Sequence, residues 1–98
     1  MTGFLLSPAA RADLGEIWDY TAGRWGPEQA ERYVRALTTA CEELAEQRRT
    51  GRAIDAVRVG YFKLSVGSHF LCYRFTDTGV VDIVRILHQR MDVSERLD

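Results

Sequence analysis

The hydrophobic periodicity of the chain changes near residue 51, and this change most constrains the fold. Before it, apolar residues recur every three to four positions, which is the period of an amphipathic helix. After it, apolar and polar residues alternate in short runs, which is the period of strands with one buried face. Within 98 residues, this arrangement predicts a single α+β domain spanning residues 1–98, with helices packed on one face of a sheet.

The first half predicts two helices separated by a tight break. Ser7 supplies an N-cap and Pro8 fits the first helical position, so the first helix begins there and runs to about Arg24. Gly26-Pro27 then ends this helix and begins a second one that continues to about residue 48. The short connection predicts an antiparallel helical hairpin.

One side of the first helix is predicted to face the core. Its members share helical spacing and are Ala10, Leu14, Ile17, Trp18, Thr21 and Trp25. We therefore expect both tryptophans to be packed inside. Asp13, Glu16 and Asp19 are assigned to the solvated side. Tyr20 lies off the stripe on this acidic flank, where an aromatic residue is a candidate for a partner surface.

The second half predicts three strands, and residues 4–6 predict a short strand before the first helix. The first of the three runs over 57–66, with a phase slip beside Gly60 that indicates a bulge. Gly67-Ser68 predicts a tight turn to the strand 69–75, and residues 77–79 predict the turn to the strand 80–87. The predicted order is β-α-α-β-β-β, an antiparallel meander under a helical hairpin. Residues 89–98 are polar and predict a short helical turn or a loose tail.

Charge and composition exclude several classes of protein. Thirteen basic and 14 acidic residues give a net charge of −1, so no general attraction to nucleic acid or to an anionic membrane is expected. No run approaches the roughly 18–20 apolar residues of a membrane span, and the N-terminus does not resemble a signal peptide. The expected location is therefore the cytoplasm, with Cys41 and Cys72 as reduced, buried thiols.

No common catalytic or metal-binding motif occurs in the chain, and no cofactor or metal is expected. The residues that remain for chemistry are cations on the predicted sheet and its exit: Arg58, Lys63, Arg74, Arg85, His88 and Arg90. One interpretation is a solvated outer face of the sheet. The other is a phosphate-binding group around a histidine, as in metal-independent ribonuclease chemistry. His88 follows a buried strand and is the better functional candidate, whereas His69 is expected to be structural.

Several sequence blocks, taken in order, resemble one known family. They are Leu6-Ser7-Pro8-Ala9-Ala10, Asp13-Leu14 with Ile17 and Tyr20, Trp25-Gly26 with Gln29-Ala30 and Tyr33, Gly51-Arg52, Arg58 with Gly60-Tyr61, Gly67-Ser68-His69, Tyr73-Arg74, and Val84 to Asp92. Together they are similar to ParE toxins of the RelE/ParE toxin–antitoxin superfamily. The similarity extends from about Leu6 to Asp92, and the block from Arg85 to Asp92 is its most specific part.

This resemblance implies a RelE-like β-α-α-β-β-β fold and a toxin of a type II toxin–antitoxin system that causes growth arrest. The implied partner is a ParD-like antitoxin with a ribbon-helix-helix DNA-binding domain, which alone would contact operator DNA. The implied target is DNA gyrase, inhibited by binding rather than by catalysis. The implied surfaces are a toxicity surface of Arg85, His88, Arg90 and Met91, and an antitoxin-binding group of Trp18, Tyr20 and Tyr33.

Two alternatives stay open at this stage. RelE-type relatives are ribosome-dependent messenger RNA endonucleases, and the corresponding catalytic group here would be Arg58, Arg74, Arg85 and His88. These relatives usually end in a catalytic tyrosine or histidine, and no tyrosine follows Tyr73 in this chain. A toxin that has lost activity and serves only as a binding module is the second alternative.

Overall fold

The computed structural model describes residues 3–97 and has the predicted α+β architecture. The elements, in chain order, are β1 (Phe4–Leu6), α1 (Pro8–Trp25), α2 (Pro27–Ala45), β2 (Arg52–Ala53), β3 (Tyr61–Val66), β4 (His69–Phe75), β5 (Val81–His88) and a short 3-10 turn (Val93–Glu95). The strands form one sheet in the order β1-β5-β4-β3-β2. The α1–α2 hairpin covers one of its faces, as the sequence predicts.

The helix boundaries follow from local chemistry. The Ser7 hydroxyl accepts from the Ala10 amide at 3.0 Å and donates to the Val84 carbonyl at 2.7 Å, so it caps α1 and ties it to β5. Gly26 has a φ of 95°, which permits the reversal between the helices. The second helix ends at Ala45 rather than near residue 48, because the chain turns at residue 47 with a positive φ.

The sheet confirms the antiparallel meander of β3, β4 and β5 and the predicted strand at residues 4–6, and it adds one further edge strand, β2. β1 pairs with β5 in parallel. The helical hairpin that follows β1 carries the chain across the sheet to the opposite edge, where the meander begins. The two residues of β2 pair with β3 and were not predicted. β3 begins only at Tyr61, so the strand predicted from residue 57 is wrong in its first four residues. Val57 and Val59 lie exposed in a loop that turns on the Ile54 carbonyl.

A β-bulge occurs in β5 rather than beside Gly60. Tyr73 of β4 pairs with Ile83, and its neighbour Cys72 pairs with Arg85. Val84 of β5 lies between these two positions and has no pairing partner on β4. Because of this extra residue, the side chains of β5 that face the helices are Ile83 and Ile86, which are three positions apart.

Both faces of the sheet carry a core. The larger core lies under the helices and contains Leu37, Leu71, Tyr73, Ile83 and their neighbours. The second core is on the opposite face, where Phe70, Cys72 and Leu87 pack against Val93 and Leu97. The polar tail predicted for residues 89–98 therefore includes two buried apolar anchors within its described part.

The orientation of α1 differs from the prediction. Its buried residues are Ala10, Asp13, Ile17 and Thr21. Three of these four lie on the predicted stripe, but the centre of the buried stripe is rotated by about 45° from the predicted centre, towards Asp13. Trp18 is 38% exposed and Trp25 is 64% exposed, so their predicted place in the core is wrong. Asp13 is only 8% exposed, so its assignment to the solvated side is also wrong.

Asp13 is buried because it completes the edge of β5. β1 pairs with β5 only as far as Ile83, so beyond that residue the edge of β5 has no neighbouring strand to accept hydrogen bonds from its backbone amides. Asp13 Oδ2 instead accepts a hydrogen bond from the Ile86 amide at 2.9 Å. The same carboxylate receives two hydrogen bonds from the Arg85 guanidinium, at 2.8 and 2.9 Å. A carboxylate in this position can thus be buried with its charge matched and its oxygens bonded.

We expect Asp13→Ala to lower the free energy of unfolding by about 3–5 kcal/mol, because Arg85 loses its counter-charge and the Ile86 amide its acceptor. Asp13→Asn keeps an oxygen of the same size and should cost less. Urea denaturation of both variants measures the difference. The control is Asp19→Ala on the exposed side of α1, expected within about 0.5 kcal/mol of the unsubstituted protein. A loss below about 1 kcal/mol for Asp13→Ala would contradict this role.

Candidate functional site

The residues predicted as the toxicity surface lie at the end of β5 and in the turn that follows it. His88 is the last residue of β5. Its carbonyl accepts from the Met91 amide at 2.8 Å, and its Nδ1 accepts from the Arg90 amide at 3.1 Å. These two bonds close a turn over residues 88–91, which we call the β5 turn. Met91 is 40% exposed on it, and Arg90 is exposed.

Arg85 lies apart from the exposed residues of the β5 turn. Its side chain is mostly buried, and its guanidinium is directed to Asp13 on α1. A further hydrogen bond of 3.0 Å joins Arg85 to the carbonyl of Arg96 in the C-terminal segment. Arg85 therefore links the helix, the strand and the segment after the β5 turn. Its charge is matched inside the fold, in contrast to the exposed Arg90.

A second histidine lies beside His88. His69 faces it across the β4–β5 ladder, and the two rings meet edge to face with centroids 5.3 Å apart. Tyr33 of α2 has its hydroxyl 2.6 Å from His69 Nδ1. Burial lowers the pKa of His69, the nearby His88 lowers it further, and Asp13 opposes this. That His69 is structural stays a prediction, and these contacts inside the fold support it.

A cavity of about 380 Å³ opens between α1, the end of β5 and the C-terminal segment. Its lining residues come from these three parts of the chain and, through His69, from the start of β4: Asp13, Glu16, Ile17, Tyr20, Thr21, His69, Arg85, Ile86, Leu87, His88, Met91 and Arg96. The cavity thus brings Tyr20, predicted to bind the antitoxin, to the same opening as His88 and Met91, predicted to carry toxicity. Sequence separation concealed this proximity, which depends on the packing of α1 over β5.

The three predicted antitoxin-binding residues occupy different surroundings. Tyr20 is 67% exposed on the cavity side of α1, seven residues after Asp13 and therefore on the same side of the helix. Trp18 is two residues earlier, about 200° round the helix from Tyr20. Tyr33 is half-buried, with its hydroxyl bonded inside the fold. A partner that contacts Trp18 and Tyr20 together must wrap around α1.

The four residues of the ribonuclease alternative do not converge. Arg74 pairs with Asp82 at 2.9 Å, six positions before His88 on β5, which is about 20 Å along an extended strand. Arg58 lies in the loop before β3, stacked on Tyr61 and bonded to the Leu97 carbonyl at 3.3 Å. A histidine and an arginine at opposite ends of a sheet cannot act on one phosphate group.

The outer face of the sheet nevertheless carries positive charge around a buried thiol. Burial raises the pKa of Cys72 to about 11, and the cations Arg58, Arg85 and Lys63 act in the opposite direction. Lys63 lies 4.3 Å above the Phe70 ring. Val93 and Leu97 of the C-terminal segment pack over this face. This packing holds the segment in place.

Within residues 3–97, no group of three or more His, Cys, Asp or Glu side chains is placed to hold a metal ion. Over the same residues, no helix is both long enough and apolar enough to cross a membrane.

Comparison with known proteins identifies the family. Residues 4–93 match the family model described as the ParE toxin of the type II toxin–antitoxin system parDE. Toxin ParE1 of Mycobacterium tuberculosis (strain ATCC 25618 / H37Rv) is 57% identical over 94 residues, which cover 96% of each chain.

Two solved structures share the fold. A chain of the chromosomal ParDE system from P. aeruginosa superposes with a TM-score of 0.76 and 23% identity, covering 90% of this chain and 96% of its own. A chain of the RelBE2 toxin–antitoxin complex from Mycobacterium tuberculosis gives 0.65 and 22%, with coverages of 92% and 93%. The architecture is therefore RelE-like, and the chain belongs to the ParE toxins of type II toxin–antitoxin systems.

Proposed function

We propose that this toxin arrests growth by binding DNA gyrase through the β5 turn, without catalysing a reaction of its own. The observation that carries the proposal is the β5 turn itself, which displays Arg90 and Met91 next to a cavity at the end of β5. Arginine and methionine are enriched in protein–protein interfaces, where each combines apolar contact with adaptable geometry. The separation of Arg74 from His88 argues against the ribosome-dependent endonuclease alternative.

The members of the proposed toxicity surface have different tasks in this mechanism. Arg90 and Met91 are exposed and would contact the target. His88 holds the β5 turn through its ring and its carbonyl. Arg85 is fixed by Asp13 and by the Arg96 carbonyl, so it supports the surface from beneath.

We further propose that a ParD-like ribbon-helix-helix antitoxin neutralises the toxin by covering this region. Tyr20 and Met91 line the same cavity, so an antitoxin segment bound at Tyr20 would also cover the β5 turn. Operator DNA would be contacted by the antitoxin, since the toxin has a net charge of −1 and no general attraction to nucleic acid. The site of action that follows from this target is the cytoplasm.

A prediction about gyrase tests this proposal. The full-length toxin, mixed with gyrase, relaxed plasmid and ATP, should block supercoiling and yield linear DNA after denaturation. Arg90→Ala and Met91→Ala should each raise the inhibitory concentration at least about tenfold, the effect of losing an interface contact worth about 1.4 kcal/mol. Arg35→Ala, which removes an exposed cation of α2, should leave the inhibitory concentration unchanged.

Point substitutions test this surface better than a C-terminal deletion. Removing the chain from Leu87 onward also removes Val93 and Leu97 from the outer core, so loss of toxicity would follow from loss of folding. Normal supercoiling at large toxin excess would contradict the gyrase proposal. Messenger RNA cleavage in the ribosomal A site, abolished by His88→Ala, would then support the endonuclease alternative.

A further prediction concerns the antitoxin. Tyr20→Ala should weaken binding of the cognate antitoxin by more than about 1 kcal/mol, measured by titration calorimetry, because Tyr20 is an aromatic side chain at the shared cavity. The matched control is Trp25→Ala. Trp25 is equally exposed on the same helix and is absent from the cavity lining, so its loss should change affinity by less than about 0.5 kcal/mol. Equal effects of the two substitutions would contradict binding at the cavity.

A further inference from the structure

A chain of side-chain contacts leads from α2 to the β5 turn. Tyr33 lies on the turn between β3 and β4, so close that a Cβ on Gly67 would come within 2.8 Å of its ring. Its hydroxyl is 3.0 Å from the Ser68 amide and 2.6 Å from His69 Nδ1. The ring of His69 packs edge to face against that of His88, whose Nδ1 accepts from Arg90.

The hydrogen-bond partners determine which nitrogen of each ring carries the proton. Tyr33 accepts from the Ser68 amide and has one proton to donate. His69 Nδ1 at 2.6 Å is a much better acceptor for it than the Val66 carbonyl at 3.5 Å. His88 Nδ1 must be unprotonated, because it accepts from a backbone N–H. Both rings are therefore neutral, with their proton on Nε2.

Acid would break both of these links. A proton added to an Nε2–H imidazole binds at Nδ1 and converts that atom from an acceptor to a donor. On His88 this removes the acceptor of the Arg90 amide, and on His69 it removes the acceptor of the Tyr33 hydroxyl. Two protonated rings with centroids 5.3 Å apart would also repel each other.

We propose that Tyr33 and His69 are positioning residues for the toxicity surface: they hold the His88 ring in the orientation in which its Nδ1 closes the β5 turn, and a proton on that nitrogen opens this turn. The effect of these residues on toxicity rests on the proposed function, whereas their effect on the geometry of the β5 turn does not. This role differs from the antitoxin contact that the sequence predicts for Tyr33, because it uses the hydroxyl inside the fold.

Titratable groups, both charged and neutral, surround the two histidines. These groups are Asp13 and Glu16 of α1, Tyr20 of α1, Tyr33 of α2, Arg85 of β5 and Arg96 of the C-terminal segment. Because burial and His88 lower the pKa of His69 in the folded chain, the unfolded chain binds this proton first as the pH falls. His69 therefore favours folding fully above the pKa of a free imidazole, about 6.5, and progressively less below it.

The experiment is amide hydrogen exchange by NMR on the full chain between pH 5 and 8, corrected for the intrinsic pH dependence of exchange. Protection of the Arg90 amide should fall at least about fivefold on acidification. At pH 7.5, Tyr33→Phe should reduce Arg90 protection, whereas Tyr61→Phe, which removes a hydroxyl on the opposite face of the sheet, should not. His69→Asn, whose Oδ1 replaces Nδ1 as an acceptor, should retain more protection than His69→Phe.

Two substitutions of His88 separate its nitrogens. His88→Asn supplies a non-titrating acceptor near Nδ1, so Arg90 protection should become independent of pH. His88→Gln places its polar atoms near Nε2 instead, so protection should be lost at every pH. Unchanged Arg90 protection in the original chain from pH 8 to 5, or in Tyr33→Phe at pH 7.5, would overturn the proposal.

Gyrase binding tests whether the positioning of the β5 turn affects function. Tyr33→Phe should weaken binding at pH 7.5 by about three- to tenfold while its circular dichroism spectrum is unchanged. If the original chain does not bind gyrase, the proposed function fails, and the exchange data alone decide the positioning role. If it binds and Tyr33→Phe binds equally well, positioning for toxicity is contradicted.

Discussion

The carboxylate of Asp13 joins three parts of the chain that are far apart in sequence. It accepts hydrogen bonds from the Arg85 guanidinium and from the Ile86 amide, and Arg85 in turn donates to Arg96. A buried ion pair adds little net stability over apolar packing of the same volume. The hydrogen bonds of this ion pair, however, can form in only one alignment of α1 on β5. We infer that Asp13 fixes this alignment, and with it the cavity and the β5 turn.

The architecture could be predicted from the sequence because hydrophobic periodicity indicates which face of a helix or strand is buried. Sequence reasoning missed Asp13 because an acidic side chain normally indicates solvent, and its partner Arg85 is 72 residues away. The signal was present in the spacing: positions 10, 13, 17 and 21 form a helical stripe if a carboxylate is accepted in it. The same rotation of the buried stripe, by about 45°, explains why Trp18 and Trp25, expected in the core, face outward.

The candidate site was predictable as a segment but not as a geometry. The block from Arg85 to Asp92 marked the end of β5, and the structure brings His88, Arg90 and Met91 together there. Two of its determinants have no local sequence signature. The first is the contact of His69 with Tyr33, which depends on the docking of α2 over a hairpin turn. The second is the anchoring of the tail by Val93 and Leu97, which are isolated apolar residues in a polar segment.

Under the proposed mechanism, the shared cavity would give the toxin a simple means of control. A segment that fills about 380 Å³ between Tyr20 and Met91 would compete directly with any target that needs the β5 turn. Neutralisation would then require no change of shape in the toxin, because two partners of one surface exclude each other by mass action. The balance between free and neutralised toxin would follow the concentration and affinity of the antitoxin. If a proton on His88 Nδ1 opens the β5 turn, as proposed, it would add a second influence on the same surface, because it would act on the turn whether or not the antitoxin is present.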